Sequence, residues 1–92
     1  MPRADAPDPA ALKDFRRIPG VGPSVALDLW SLGLRRVDDL RGRDPEELYA
    51  RLEKLAGCHV DRCMVYVLRC AVYFAETPDP EPQRLKWWNW KD

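Results

Sequence analysis

Apolar residues recur at helical spacing in several stretches of the chain, and glycine or proline separates these stretches. Asp8 and a first-turn proline predict the start of a helix over residues 9–17. Pro19 ends that helix, because the residue before a proline avoids helical dihedral angles. Pro23 predicts the start of a second helix, which Gly33 ends. A shorter helical turn is predicted where apolar residues recur every three positions: Leu34, Val37 and Leu40.

Two longer helices are predicted in the second half of the chain. The run Asp44-Pro45-Glu46-Glu47 supplies an acidic cap, a proline at the first position and a glutamate that predicts a capping box. This helix is predicted to end near Gly57. Residues 60–75 contain many strand formers, but the length of the run favours a helix. Its polar residues form one stripe: Arg62, Tyr66, Arg69 and Tyr73. The other positions are almost all apolar, which predicts a central buried helix.

These elements predict one compact all-α domain. The predicted organisation is a disordered N-terminal end at residues 1–8, a helical domain at residues 9–76 and a Pro/Trp-rich tail at residues 77–92. The tail contains Trp87, Trp88 and Trp90. Burial of each large apolar side chain contributes roughly 1.5–3 kcal/mol, so we expect the tail to pack back on the domain. The polar stripe is one candidate surface for this contact.

A shift of 37 residues aligns residues 15–20 with residues 52–57, and apolar positions then fall on apolar positions. The domain therefore contains one helical hairpin or two in tandem. In the tandem interpretation the second hairpin is degenerate, because His59 stands where Gly22 stood. The same shift places Cys63 on Ala26, which predicts that Cys63 fills a tightly packed position.

Composition and charge narrow the function classes. Hydrophobic residues make up 46% and charged residues 33%, as in soluble globular proteins. The net charge is zero, but residues 11–43 carry seven Lys/Arg against four Asp, a net of +3. Screening confines such a field to about 8 Å, so a local basic face survives the neutral total. No apolar run reaches the length of a membrane span, and no signal peptide is recognised. We therefore expect a cytoplasmic protein without membrane contact.

The cysteines give little indication of disulfide bonds, metal binding or catalysis. Three cysteines, an odd number, predict reduced thiols rather than a disulfide framework. Cys58, His59, Cys63 and Cys70 lack the spacings of zinc sites, so we expect no metal site. The sequence contains no catalytic triad, Walker loop or nuclease constellation, and we expect no enzymatic activity.

The stretch "IPGVGPS", residues 18–24, places two glycines and two prolines in the best hydrophobic run. Glycine permits positive φ and lets a ligand approach the backbone closely. A helix begins immediately afterwards, and its free N–H groups and dipole attract an anion. The predicted phosphate-binding backbone residues are Gly20, Val21, Gly22, Ser24 and Val25. The predicted source of positive charge is Arg16, Arg17, Arg35 and Arg36. The alternative is a structural connector between two packed helices.

The run "FRRIPGVGPSVALDLWSLG" resembles the helix-hairpin-helix motif of DNA repair and replication proteins. In such motifs the hairpin contacts the DNA backbone, and some hold a monovalent cation on the hairpin carbonyls. The later run "DPEELYARLEKLAGCHVDRCMVYVLRCAVYFA", followed by "LKWWNWKD", is similar to the small bacterial pathogenicity-locus family, some of whose members are labelled mitomycin-resistance proteins. The resemblance implies an all-helical fold and a link to DNA. Apart from such a cation, we expect no cofactor.

The residues and the resemblance together leave two candidate functions. The first is non-sequence-specific binding to the DNA backbone, in a repair or damage-resistance context. Such motifs often carry Lys or Arg early in the second helix, where this chain has Ser24, Val25 and Asp28, so we expect weak, salt-dependent binding. The second is a protein-protein interaction module that uses the Trp-rich tail or the exposed helix stripe. A homodimer fits either function, because a single hairpin domain usually works beside a second one.

Overall fold

The computed structural model describes residues 7–92, and within them the chain forms α-helices and short 3₁₀ turns without a strand. The α-helices are α1 (Pro9–Phe15), α2 (Pro23–Ser31), α3 (Pro45–Ala56) and α4 (Cys63–Glu76). The 3₁₀ turns are Val37–Leu40, Pro82–Leu85 and Trp87–Trp90. The all-α prediction is confirmed. The predicted disordered N-terminal end lies mostly outside the described residues. No helix in the described part has both the length and the apolarity needed to cross a membrane.

Local signals at the helix ends explain where the helices begin and stop. The side chains of Asp8 and Asp44 each accept the N–H two residues further on, at 3.0 Å. A proline follows each cap and fits the first helical position, where its missing N–H has no cost. Helix α3 ends at Gly57, whose φ of 71° is left-handed. The predicted capping box does not form, because the Glu47 carboxylate lies 3.6 Å from the Arg43 guanidinium instead.

Helix α4 is the central helix that the apolar pattern predicted. It packs against α3, the Val37–Leu40 turn and both turns of the tail. Its buried residues are Met64, Val65, Val67, Leu68, Cys70, Ala71 and Val72. Helix α1 packs on α2, and both contribute to the same hydrophobic core as α4. The hydrophobic core therefore packs against the connection between α1 and α2 and holds it in place.

Burial does not follow the 37-residue echo. Ile18 is buried, but its counterpart Leu55 is 60% exposed. Ala26 is fully buried, whereas Cys63 is exposed and does not fill a packed position. The buried residue at this point of α4 is Met64, one position later. The second half of the domain is thus not a copy of the first at constant spacing.

The C-terminal tail, residues 77–92, lies along the polar stripe of α4. The ring of Trp90 lies 5.5 Å from that of Tyr73, centroid to centroid. The Arg69 guanidinium donates to the Trp90 carbonyl at 2.7 Å. The Asp92 carboxylate accepts from Arg62 at 2.9 Å and from Arg69 at 2.7 Å. The tail therefore covers a face that would otherwise be solvated.

Four charged side chains join the tail to α3 and α4. Arg62 donates to both carboxylate oxygens of Glu46, at 2.9 and 2.8 Å, while it also binds Asp92. Arg69 contacts the same two carboxylates. Hydrogen bonds from Arg62 and Arg69 hold the pKa of Asp92 well below its ordinary value. The same arginines lower the pKa of Glu46.

Acidification should loosen this cluster and destabilise the domain. Because Asp92 and Glu46 have lower pKa values when folded, the unfolded chain binds more protons as the pH falls below about 5. The stability that these carboxylates contribute is present above the ordinary carboxyl pKa of about 4 and is lost as the pH falls through the lowered values. Thermal melts from pH 6 to pH 2 should show a falling midpoint, with a shallower fall in Asp92→Asn. Asp79→Asn, at an exposed position in the tail, is the matched control. Equal pH slopes in both variants would contradict a stabilising role of the cluster.

Candidate functional site

Residues 18–22, here called the 18–22 turn, match a type II β-turn that leads into α2. The Val21 N–H donates to the Ile18 carbonyl at 3.0 Å. Pro19 occupies the second position and Gly20, with a φ of 87°, the third. A type II turn requires positive φ at that position, which is why glycine stands there. Ile18 and Val21 are buried, so the core holds the turn in place.

The N–H groups around the turn differ in availability. The Val21 N–H is used inside the turn, so Val21 does not offer the donor that was predicted for it. The other predicted backbone donors have no protein acceptor within residues 7–92: Gly20, Gly22, Ser24 and Val25. Helix α2 begins here without a side-chain cap. Unsatisfied N–H groups therefore meet the positive end of the α2 dipole.

Access to the turn differs between its two glycines. A Cβ atom placed on Gly20 would come within 2.9 Å of Cδ1 of Trp87, so the tail packs against this residue. At Gly22 a Cβ atom would meet nothing within 4 Å, and the φ of −95° suits any residue. The side chain of Ser24 is exposed. A side chain is therefore accommodated at Gly22 but not at Gly20.

Basic residues at the end of α1 and directly after it precede the 18–22 turn in the sequence. Lys13, Arg16 and Arg17 line one shallow groove along α1. Arg16 forms no ion pair with any of residues 7–92. Arg17 donates to the Asp14 carboxylate at 2.7 Å and is partly neutralised by it. Arg16 is thus the freer of the two predicted charges before the turn.

Asp14 also brings Arg36 towards α1. The second oxygen of the Asp14 carboxylate accepts the Val37 N–H at 2.7 Å. Burial pushes the pKa of Asp14 upwards, but this hydrogen bond and the charges of Arg17 and Arg36 outweigh it and lower the pKa. Arg36 and Arg17 therefore act on the same carboxylate.

Arg35 lies at the other end of α2. Its guanidinium carbon is 3.6 Å from the centroid of the Trp30 ring. The guanidinium donates to the carbonyls of Trp30 at 3.1 Å and Leu34 at 2.9 Å. Trp30 lies roughly 12 Å along the helix axis from Gly22. The structure thus uses Arg35 to cap the carbonyl end of α2, and it does not bring Arg35 to the turn as the sequence predicted.

Asp28 opposes an anion at this site. It is the acidic residue of α2, and its carboxylate has no hydrogen bond or ion pair within the described part of the chain. Burial raises its pKa. Asp28 lies roughly 9 Å along the axis from Gly22, close to one screening length. Its charge therefore weakens anion binding at the turn without blocking it.

The thiols of Cys63 and Cys70 show no activating environment. Within residues 7–92 no three His, Cys, Asp or Glu side chains are grouped closely enough to hold a metal ion. Burial raises the pKa of the Cys70 thiol to about 11. A hydrogen bond with Asp61 raises the pKa of Cys63. Both thiols stay protonated at neutral pH and are poor nucleophiles.

The contact between the tail and the turn was not predicted from the sequence. Trp87 packs on Gly20, although 66 residues separate them in the chain. The neighbouring Trp88 stays 49% exposed. The sequence contained only two hints of this contact: Gly20 has no side chain, and the tail is rich in tryptophan. Neither hint specifies which tryptophan ring makes the contact.

Comparison with known proteins finds a family and a relative to which the chain is similar. Residues 8–92 match the sequence profile of a family described as "Pathogenicity locus". The mitomycin resistance protein McrB of Streptomyces lavendulae is 34% identical over 77 residues, which cover 84% of this chain and 70% of the relative. No solved structure matches the chain.

Proposed function

The chain belongs to the pathogenicity locus family, and from that premise we propose that it binds the DNA backbone without sequence preference. In this proposal α1, the 18–22 turn and α2 act as a helix-hairpin-helix. The observation that carries it is that the N–H groups of Gly22 and Ser24, at the start of a helix, have no protein acceptor within residues 7–92. Such groups suit a phosphate oxygen. They fix the position of a strand and read no base.

The basic residues on and around α1 set the expected strength. Lys13, Arg16 and Arg36 supply about three phosphate contacts, and each lowers the logarithm of the affinity by about 0.9 per tenfold rise in salt. A rise from 50 to 200 mM salt should therefore weaken binding about 40-fold. Asp28 reduces the affinity further. We expect weak binding that only low salt reveals clearly.

The biological setting is part of the proposal. The name of the relative suggests a role in mitomycin resistance, so we place the protein in a DNA repair or damage-resistance context. We propose that it acts in the cytoplasm of a bacterium as a binding protein without enzymatic activity. A monovalent cation on the carbonyls of the turn stays a prediction.

Gly22→Glu should weaken DNA binding at least about tenfold, because it places a carboxylate beside the open N–H groups. The substitution is sterically harmless, since Gly22 has ordinary φ and free space around it. Binding is measured by fluorescence anisotropy with a labelled duplex at 50 mM and 200 mM salt. Gly22→Gln, of equal size without the charge, should keep most of the affinity.

A second control separates a local effect from net charge. Ser31→Glu adds the same charge at an exposed position at the far end of α2. We expect it to weaken binding much less than Gly22→Glu does. Equal affinities of Gly22→Glu and the unmodified protein would remove the turn from the mechanism. Equal losses in Gly22→Glu and Ser31→Glu would reduce the effect to overall charge.

The alternative is a protein-protein interaction module. Three large apolar side chains, Leu27, Leu55 and Trp88, are exposed and favour it. The stripe of α4 is only partly exposed, because the tail lies against it. An apolar contact holds as salt rises, whereas phosphate binding falls. Light scattering at both salt concentrations tests the homodimer directly.

A further inference from the structure

Trp88 is an exposed aromatic ring held beside the 18–22 turn. Its ring meets that of Trp87 edge to face, with centroids 5.7 Å apart and planes at 86°. Trp87 in turn packs on Gly20. Trp88 itself is 49% exposed. One chain of contacts thus connects the turn to a half-open indole ring.

The segment that carries Trp88 is ordered by hydrogen bonds within the tail. The Asn89 N–H donates to the Lys86 carbonyl at 2.9 Å, and the Asn89 side-chain amide donates to the Gln83 carbonyl at 2.8 Å. The indole N–H of Trp90 donates to the Arg84 carbonyl at 2.8 Å. An exposed ring on a fixed segment loses little conformational entropy when a ligand stacks on it. Trp88 is therefore exposed although the segment that carries it is ordered.

The charges around the tryptophans favour an anionic ligand. Lys86 and Lys91 flank the Trp87–Trp90 turn, and neither forms an ion pair within residues 7–92. The nearby carboxylate of Asp92 is instead bound by the two arginines of α4. An exposed aromatic ring on a turn that two lysines flank in the sequence suits a ligand that combines an aromatic face with negative charge. A nucleotide has both properties.

We propose that Trp88 stacks on an unpaired base, so that the protein prefers single-stranded DNA to duplex DNA. The inference rests on the proposed function, in which the 18–22 turn binds the phosphate backbone of the same strand. Bases inside a duplex are stacked on each other and do not offer a free face, whereas a single strand does. Stacking tolerates any base and so adds no sequence preference.

The test compares three ligands of equal length: oligothymidylate, an abasic oligomer with the same phosphates, and a duplex. Intrinsic tryptophan fluorescence reports stacking and anisotropy reports binding. We expect oligothymidylate to bind about tenfold more tightly than the abasic oligomer, and more tightly than the duplex. Trp88→Ala should abolish this difference and leave abasic binding unchanged. Trp88→Phe should retain part of the difference. Leu55→Ala, which also removes an exposed apolar side chain, should retain all of it.

The outcomes separate this inference from the proposed function. If Trp88→Ala binds oligothymidylate as the unmodified protein does, base stacking is overturned and backbone binding stands. If Gly22→Glu loses abasic binding but keeps fluorescence quenching by oligothymidylate, stacking stands without the turn. If the unmodified protein binds none of the three ligands, both proposals fail. A dimer that Trp88→Ala dissociates would, in that case, assign Trp88 to a protein contact.

Discussion

Phe15→Ala should lower the free energy of unfolding by about 3–5 kcal/mol, because it removes a fully buried ring from the core. Phe15 is the last residue of α1 and stands three residues before Ile18, the buried start of the 18–22 turn. A domain of this length has a total stability of about 5–14 kcal/mol. The loss is thus a large fraction of the total, and the variant approaches the limit of folding.

Urea denaturation followed by circular dichroism measures this loss. Phe15→Leu fills most of the volume and should cost less than Phe15→Ala, so it keeps the comparison informative if the alanine variant does not fold. Leu55→Ala is the matched control, since Leu55 is 60% exposed and its loss should change stability by less than about 0.5 kcal/mol. Similar losses in Phe15→Ala and Leu55→Ala would contradict the described core.

The parts of the fold that the sequence predicted depend on local signals. Asp44 and Pro45 start α3, and Gly57 ends it, because caps, proline and left-handed glycine act within a few residues. The apolar majority of residues 60–75 predicted that α4 is the central helix. This signal is also local, because it is read from one continuous stretch of the chain. Two glycines of the motif were sufficient to predict a turn before α2.

The features that the sequence did not predict depend on tertiary contacts. Arg35 and Arg36 are adjacent in the chain, but Arg35 caps α2 while Arg36 acts on Asp14. Their separation follows from the packing around Trp30, which no local pattern encodes. The contact of Trp87 with Gly20 likewise depends on the path of the whole tail. The sequence therefore predicted one shared role for Arg35 and Arg36, whereas the structure gives each of them a different role.

Substituting alanine for each of three glycines should separate backbone strain from steric contact at the 18–22 turn. Gly20→Ala incurs both effects, because its φ is 87° and the new Cβ lies 2.9 Å from Trp87. Gly42→Ala incurs only strain, with a φ of 77° and open space. Gly22→Ala incurs neither. We expect losses of about 1–2 kcal/mol at Gly42 and about 2–4 kcal/mol at Gly20. At Gly22, the N-cap of α2, we expect a change of less than about 1 kcal/mol, because alanine is a poorer N-cap than glycine and this offsets the entropic gain.

A double-mutant cycle with Trp87→Ala identifies the source of the extra loss at Gly20. Trp87→Ala alone removes a partly buried ring and should destabilise the domain. In that background Gly20→Ala no longer meets the indole, so its cost should fall to that of Gly42→Ala. Urea denaturation gives all four free energies of the cycle. A cost at Gly20 that is the same with and without Trp87 would mean that the tail does not pack on the turn. The connected surface from Gly20 to Trp88 would then be lost, whereas phosphate binding at Gly22 would be unaffected.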